Sequence, residues 1–309
     1  KLPVEELKDR ISMLGTDLEK IEGNDIVVEV FPNRPDMLSE AGFARALSSF
    51  IGEKTGLREY KAIKSESSGY KVIIDKSVKE VRPFTACAVV KKLKFDDEKI
   101  RELIQLQEKL HVTFGRNRKK LAIGIYPLDK VKMPIRYLAK KPGEIMFRPL
   151  ESANTMTGSE IIAQHPTGKE FAHLLEGKKL FPIFIDSNDE VLSMPPIINS
   201  HKTGKVTSKT TEVFIECSGF DFRVLSECLN IIVTSLADIG GEAHEMKIES
   251  EKGQKKTPAL EPVEWPLDIG YINRMLGLEL KEVEIKGLLE KMGFGYKNKK
   301  VLVPCYRAD

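Results

Sequence analysis

The chain has 309 residues, enough for two or three domains, with 41% hydrophobic and 31% charged residues, which is the composition of an ordinary globular protein. No apolar run is long enough to span a bilayer and nothing at the N-terminus resembles a signal peptide, so a cytoplasmic location is expected. The net charge is only +3, the four cysteines form no C-x-x-C pair and the five histidines form no H-E-x-x-H, so any nucleic acid must be held by local basic patches and no metal site is expected.

Val4, Leu7, Ile11 and Leu14 follow helical spacing, with Gly15 as a stop. Residues 26–31 read as a strand, and Asn33-Arg34-Pro35-Asp36 as a turn. A helix is predicted from Ser39, its N-cap, to Ile51. The polar stretch 61–69 reads as a linker. Strands are predicted at 70–74, 84–95, 121–126 and 135–139, with a helix capped by Asp96 or Asp97 between the second and third. Thr157 and Glu160 have the spacing of a capping box that opens a short helix ended by Pro166, and a second short helix covers 169–175. Residues 180–185 and 190–194 read as a hairpin that Pro195-Pro196 stops, because neither proline can donate to a ladder. A strand at 213–216 and a long helix capped by Asp221 and closed by Gly240-Gly241 follow, then a strand at 246–249. Residues 251–258 read as a basic, polar linker, and the remainder as a small helical unit ending in a strand at 300–304. The expected class is α+β and multi-domain, with segments at about 1–65, 70–250 and 257–309: a central mixed α/β domain flanked by small helical or winged-helix-like modules. The chain has no initiator Met and stops at Arg307-Ala308-Asp309 within a readable pattern, and so reads as a piece of a longer protein.

The run Leu192-Ser193-Met194-Pro195-Pro196-Ile197-Ile198-Asn199-Ser200 resembles the editing module of phenylalanyl-tRNA synthetase β subunits of the archaeal/eukaryotic type. Further motifs support the resemblance in order: Asn33-Arg34-Pro35-Asp36 with Gly42-Phe43-Ala44-Arg45, the helix Gln105 to His111, the strand Ala122-Ile123-Gly124-Ile125, Thr203-Gly204-Lys205-Val206-Thr207, and Phe214-Ile215-Glu216-Cys217-Ser218-Gly219. Together they cover most of the chain. One departure is Ser218, where the family commonly has Thr. The resemblance implies an N-terminal module, an editing domain and the start of a B5-type helical domain. It implies hydrolysis of tRNA(Phe) mischarged with tyrosine, with tRNA(Phe) and a synthetase α subunit as partners, in an α2β2 enzyme. No cofactor is implied for the segment itself; ATP and Mg2+ belong to the full synthetase.

Such a module answers a physical problem. A hydrophobic pocket rejects an isostere carrying one added hydroxyl by only about 100-fold, whereas a site built to hydrogen-bond that hydroxyl discriminates better. Under the resemblance, Glu216 is the polar floor that accepts the phenolic hydrogen; alternation alone would put it on the solvent face. Phe184 and Pro195 wall the ring or belong to the ordinary core, and Gly219 offers a backbone N–H. Ser193, Asn199 and Ser218 are the polar candidates at the ester. Ser193 lies in no G-x-S-x-G elbow, so attack by a positioned water is favoured over a covalent route, with Asn199, Ser218 and backbone amides orienting it and the terminal ribose hydroxyl assisting. Arg116, Arg118 and Lys119, with Lys202 and Lys205 nearer the pocket, either guide the tRNA acceptor end through phosphate contacts or form solvated loops. The competing function is a non-catalytic scaffold and tRNA-binding arm.

Overall fold

The computed structural model describes residues 2–309. The chain divides into two compact units: Lys1–Lys61 together with Leu260–Asp309, and Ala62–Ala259. The two outer segments predicted from the sequence thus share one unit. The joints are specific. The N-capped helix Glu40–Phe50 meets the helix Glu282–Lys291, where Ser49 Oγ donates to the Glu290 carbonyl at 3.0 Å. The Gly56 amide donates to the same oxygen at 2.7 Å. The Arg45 guanidinium lies 3.7 Å from the centre of the Tyr306 ring. In the N-R-P-D turn, Arg34 grips Asp36 through two bonds of 2.9 Å, and both side chains are buried. A two-stranded hairpin, Thr16–Glu22 with Asp25–Val30, precedes the turn. Its first strand carries charged residues at most outward positions and has no apolar alternation by which to be read.

In the second unit, eleven strands among the described residues form one sheet. They are β1 (Ala62–Ile63), β2 (Lys71–Ile74), β3 (Phe84–Lys91), β4 (Leu121–Pro127), β5 (Ile135–Lys140), β6 (Phe181–Ile185), β7 (Val191–Met194), β8 (Ile198–Asn199), β9 (Val213–Gly219), β10 (Glu242–Ser250) and β11 (Gly253–Thr257). The order is β8-β7-β6-β5-β2-β10-β3-β9-β4, with β1 and β11 also paired to β10. β2 runs parallel to β5 and to β10, and β1 parallel to β10; the other pairs are antiparallel. β10 is long enough to serve both halves: Glu242–Glu245 pairs with β3, and Lys247–Glu249 with β2. β3, β4, β6, β7 and β9 are buried along almost their whole length, so they read as continuous apolar runs.

The helices stop and start where local chemistry dictates. Asp96 accepts from the Lys99 amide at the start of Asp97–Val112, and Asp221 accepts from the Arg223 and Val224 amides at the start of Phe222–Asp238. The Thr157–Glu160 capping box is complete. Pro166 does more than end that helix: it is the first residue of the next, Pro166–Phe171, where its missing N–H costs nothing. Two predicted linkers are structured. Residues 61–69 hold β1 and a short helix, Ser65–Ser68, and residues 251–258 hold β11. β11 is a polar strand held by backbone pairing with β10 and by Thr257, whose hydroxyl donates to the Cys87 carbonyl at 2.6 Å and accepts from the Cys87 amide at 2.9 Å. No helix among the described residues is long and apolar enough to cross a membrane.

Candidate functional site

The face of the sheet carrying Glu216 opens into a cavity of about 230 Å3. Its walls include Gln107, Glu108 and His111 on the helix Asp97–Val112, Ala122 and Ile123 on β4, and Ser193 with Pro195 to Asn199, running from β7 to β8; Arg118 and the loop residues Leu150 and Glu151 also line it. Glu216 itself is 1% exposed, so alternation along β9 turns it into the protein and not towards solvent. The resemblance, not the pattern, located it.

The register of the sheet makes room for it. Glu216 lies between Cys87 on β3 and Gly124 on β4. A Cβ on Gly124 would stand 2.1 Å from Tyr126 Oη and 2.6 Å from Glu216 Oε1, so only glycine leaves the two polar groups side by side. Tyr126 Oη sits 3.3 Å from Glu216 Oε1 and 3.4 Å from Asn199 Oδ1. One hydroxyl carries one proton and cannot donate to both acceptors. Burial lifts the Glu216 pKa to about 8, against the opposing pull of the Arg82 charge and the Tyr126 hydrogen bond. At neutral pH the carboxyl is therefore mostly protonated. The Tyr126 hydroxyl donates to Glu216 Oε1, the shorter of its two contacts, so the proton of the neutral carboxyl sits on Oε2. Several buried side-chain polar atoms have no hydrogen-bond partner among the described residues, and Glu216 Oε2 and Ser193 Oγ are two of them. Both belong to residues that line the cavity. Two such atoms in the lining of one cavity are open to partners that a ligand can supply.

The outer strand β4 has no neighbouring strand beyond it, and the helix Asp97–Val112 takes that place. Gln107 Nε2 donates to the Ile123 carbonyl at 3.1 Å, and His111 Nε2 accepts from the Ile123 amide at 2.8 Å. Acceptance at Nε2 leaves the proton on Nδ1, which donates to Glu108 at 3.2 Å. Burial lowers the His111 pKa, so the ring is neutral with both nitrogens engaged and no lone pair free to act as a base. The bond from His111, with the Arg118 charge, holds the Glu108 carboxyl down at about 2.

The sequence-predicted residues fall into three groups. Ser193, Pro195, Asn199, Glu216 and Arg118 line the cavity together. Ser218 stands next to it in the strand, two residues from Glu216, where its backbone carbonyl accepts from Arg82 Nη2 at 2.7 Å and its hydroxyl from Arg82 Nε at 3.3 Å. Phe184 and Gly219 are elsewhere. Phe184 is fully buried in the core, stacks on Tyr137 at 4.3 Å and pairs across the sheet with Ser193, without lining the cavity. Gly219 is a packing glycine: a Cβ there would meet the Lys120 carbonyl at 2.3 Å and Leu225 Cδ2 at 2.9 Å. Of the basic residues, Arg116, Lys119 and Lys205 are exposed, and Lys202 pairs with Glu190 at 2.5 Å. Arg118 is no free cation, since its guanidinium bonds to Ile197, Pro196 and Glu108. Sequence reasoning missed Tyr126, Arg82 and Gln107. The only signal for Tyr126 was the glycine in the buried run Ala122-Ile123-Gly124-Ile125.

No protein-family model matches the chain. The phenylalanine–tRNA ligase β subunit of Archaeoglobus fulgidus is 44% identical over 304 residues, covering 97% of this chain and 54% of that protein. The β subunit of Methanothrix thermoacetophila is 40% identical over 307 residues, covering 97% of this chain and 56% of that protein. The chain thus spans about half the length of the curated relatives it matches. A crystal structure of an N-terminal fragment of the phenylalanyl-tRNA synthetase β subunit from Pyrococcus horikoshii superposes with a TM-score of 0.92 at 38% identity, covering all of this chain and 90% of that one. The chain therefore belongs to the phenylalanine–tRNA ligase β-subunit family, and it corresponds to the N-terminal region of that subunit.

Proposed function

We propose that the second unit hydrolyses the ester of tRNA(Phe) mischarged with tyrosine. The carrying observation is the pair of unpartnered buried polar atoms, Glu216 Oε2 and Ser193 Oγ, in the lining of an amino-acid-sized cavity. Drug-sized sites occupy roughly 300–1,000 Å3; a cavity of about 230 Å3 suits one aromatic side chain and its ester. With Tyr126 donating to Oε1, Oε2 of the neutral acid carries the proton and is free to donate. A phenolic hydroxyl accepts from Oε2 and donates to Ser193 Oγ. A phenylalanyl ring leaves both groups unpaired, at a cost of about 1–3 kcal/mol for each.

At the ester, Asn199 is the positioning group. Its Oδ1 lies 3.4 Å from Tyr126 Oη, which leaves Nδ2 to donate to the ester oxygen or to the attacking water. A covalent route through Ser193 lacks support, because its Oγ bonds to no base and His111 has no free nitrogen. Water attacks the carbonyl carbon, the ribose oxygen leaves with a proton, and the vicinal ribose hydroxyl assists the transfer. Arg116, Lys119 and Lys205 supply phosphate contacts for the acceptor end.

In the whole synthetase this step belongs to a cytoplasmic phenylalanine–tRNA ligase, with an α subunit as partner in an α2β2 assembly. ATP and Mg2+ serve its aminoacylation chemistry. The cavity described here does not fit a Mg2+–nucleotide: Glu216 is neutral near pH 7 and Glu108 is committed to His111 and Arg118, so no step runs through either. The proposal is tested by selectivity. Release of tyrosine from Tyr-tRNA(Phe) should outpace release of phenylalanine from Phe-tRNA(Phe) on the same tRNA; equal rates for the two esters count against it.

A further inference from the structure

Arg116, Asn117 and Arg118 form three consecutive non-glycine residues in the left-handed region, with φ of 50°, 51° and 63°. Single left-handed residues are ordinary; a run of three is a strained conformation that the surroundings must hold in place. Here they do so. The Asn117 amide donates to Val112, the Arg118 amide to His111 and the Lys120 amide to Gly115. Gly115 is required as well, since a Cβ there would lie 2.7 Å from the His111 carbonyl.

The turn delivers one side chain to one place. Arg118 Nη1 donates to the Ile197 carbonyl at 3.0 Å and to the Pro196 carbonyl at 3.4 Å, and Nη2 donates to both Glu108 oxygens at 3.3 Å. The guanidinium also lies 4.1 Å from the centre of the Phe171 ring. Both Nη groups are engaged and the plane faces the Phe171 ring, while Nε has no hydrogen-bond partner among the described residues. The carbonyls it grips sit between Ser193 and Asn199, in the segment that forms the cavity's polar wall.

We infer that Arg118 is a positioning residue: it latches the segment from Pro195 to Asn199 to the helix bearing Glu108, and so fixes the spacing of Ser193 and Asn199 against Glu216. This replaces the phosphate-contact role that the basic run suggested for Arg118, and leaves that role to Arg116 and Lys119. Only the kinetic arm of the test below rests on the proposed hydrolysis.

The discriminating variant is Arg118→Lys, which keeps the charge and loses the fork. A phosphate contact tolerates lysine as a point charge, whereas a forked latch does not. Hydrogen–deuterium exchange over residues 192–200 should rise in Arg118→Lys. The kcat for Tyr-tRNA(Phe) hydrolysis should fall by roughly tenfold to hundredfold, the scale of a misplacement near 1 Å. The Kd for uncharged tRNA(Phe) should stay within about twofold of wild type, because the charge is kept. Glu108→Gln, which loosens only the Nη2 end, should give a smaller change of the same kind. Unchanged exchange in Arg118→Lys overturns the latch. So does a variant Arg118→Ala that loses tRNA affinity and salt dependence while the loop exchanges as in wild type. If the wild-type chain proves inactive on the ester, the proposed hydrolysis falls, and the exchange measurement still decides the latch by itself.

Discussion

Glu216 is held neutral by burial, and that state has a thermodynamic signature. Its pKa is about 8 in the folded chain against an ordinary 4.5. Between these two values the folded state binds the proton that the unfolded state has released. Stability therefore falls as pH rises from about 4.5 to about 8, and levels off above that range. Glu216→Gln keeps the shape and cannot ionise. Its thermal midpoint should equal or trail that of wild type at pH 5 and exceed it at pH 9; parallel midpoint curves for the two proteins would mean that Glu216 is ionised throughout. The mechanism makes a second claim at this scale. Ser193→Ala should retain hydrolysis to within about tenfold, because it loses one hydrogen bond to the substrate. Asn199→Ala should lose more, because Asn199 serves the reacting ester. Steady-state rates on Tyr-tRNA(Phe) order the two, and a tyrosyl ester trapped on Ser193 would reverse the assignment.

The site is an arrangement of elements before it is a set of residues. β3, β9 and β4 form a platform whose register sets Cys87, Glu216 and Gly124 in one row. Gly124→Ala should destabilise by about 1–3 kcal/mol through overpacking and should abolish hydrolysis together with the Tyr126–Glu216 contact. Urea unfolding and the deacylation rate check the two effects separately; an alanine variant of normal stability and activity would show that the platform yields. The helices were legible because their caps are local: Ser39, Asp96, Thr157 and Asp221 all accept the amides that the sequence spacing implies. The buried strands were legible as apolar runs. β1, β11 and the first strand of the N-terminal hairpin were not, because they are held by backbone pairing while their side chains stay polar or exposed. Tyr126 and Arg82 were hidden for a related reason. A tyrosine inside an apolar strand reads as core, and the partner of Arg82, Ser218, lies 136 residues away.

At the scale of the molecule, the segments that begin and end the sequence form one unit, and the segment between them carries the cavity. The pairing of Arg45 with Tyr306 and of Ser49 with Glu290 spans more than two hundred residues, a distance at which periodicity carries no signal. The fold class and family were readable because motifs survive as strings. The division into units was not, because it depends on contacts between distant strings. The esterase activity proposed for the second unit, selective for tyrosine, is read by deacylation. Tyr-tRNA(Phe) and Phe-tRNA(Phe) are each incubated with the wild-type chain, with Glu216→Ala and with buffer alone. Wild type should hydrolyse the tyrosyl ester far above the buffer rate and leave the phenylalanyl ester close to it. Glu216→Ala should lose about 0.5–1.5 kcal/mol of transition-state stabilisation on the tyrosyl ester only, the worth of one hydrogen bond between neutral groups. A wild-type chain that binds tRNA(Phe) and leaves both esters at the buffer rate would contradict the account and make this region a tRNA-binding scaffold.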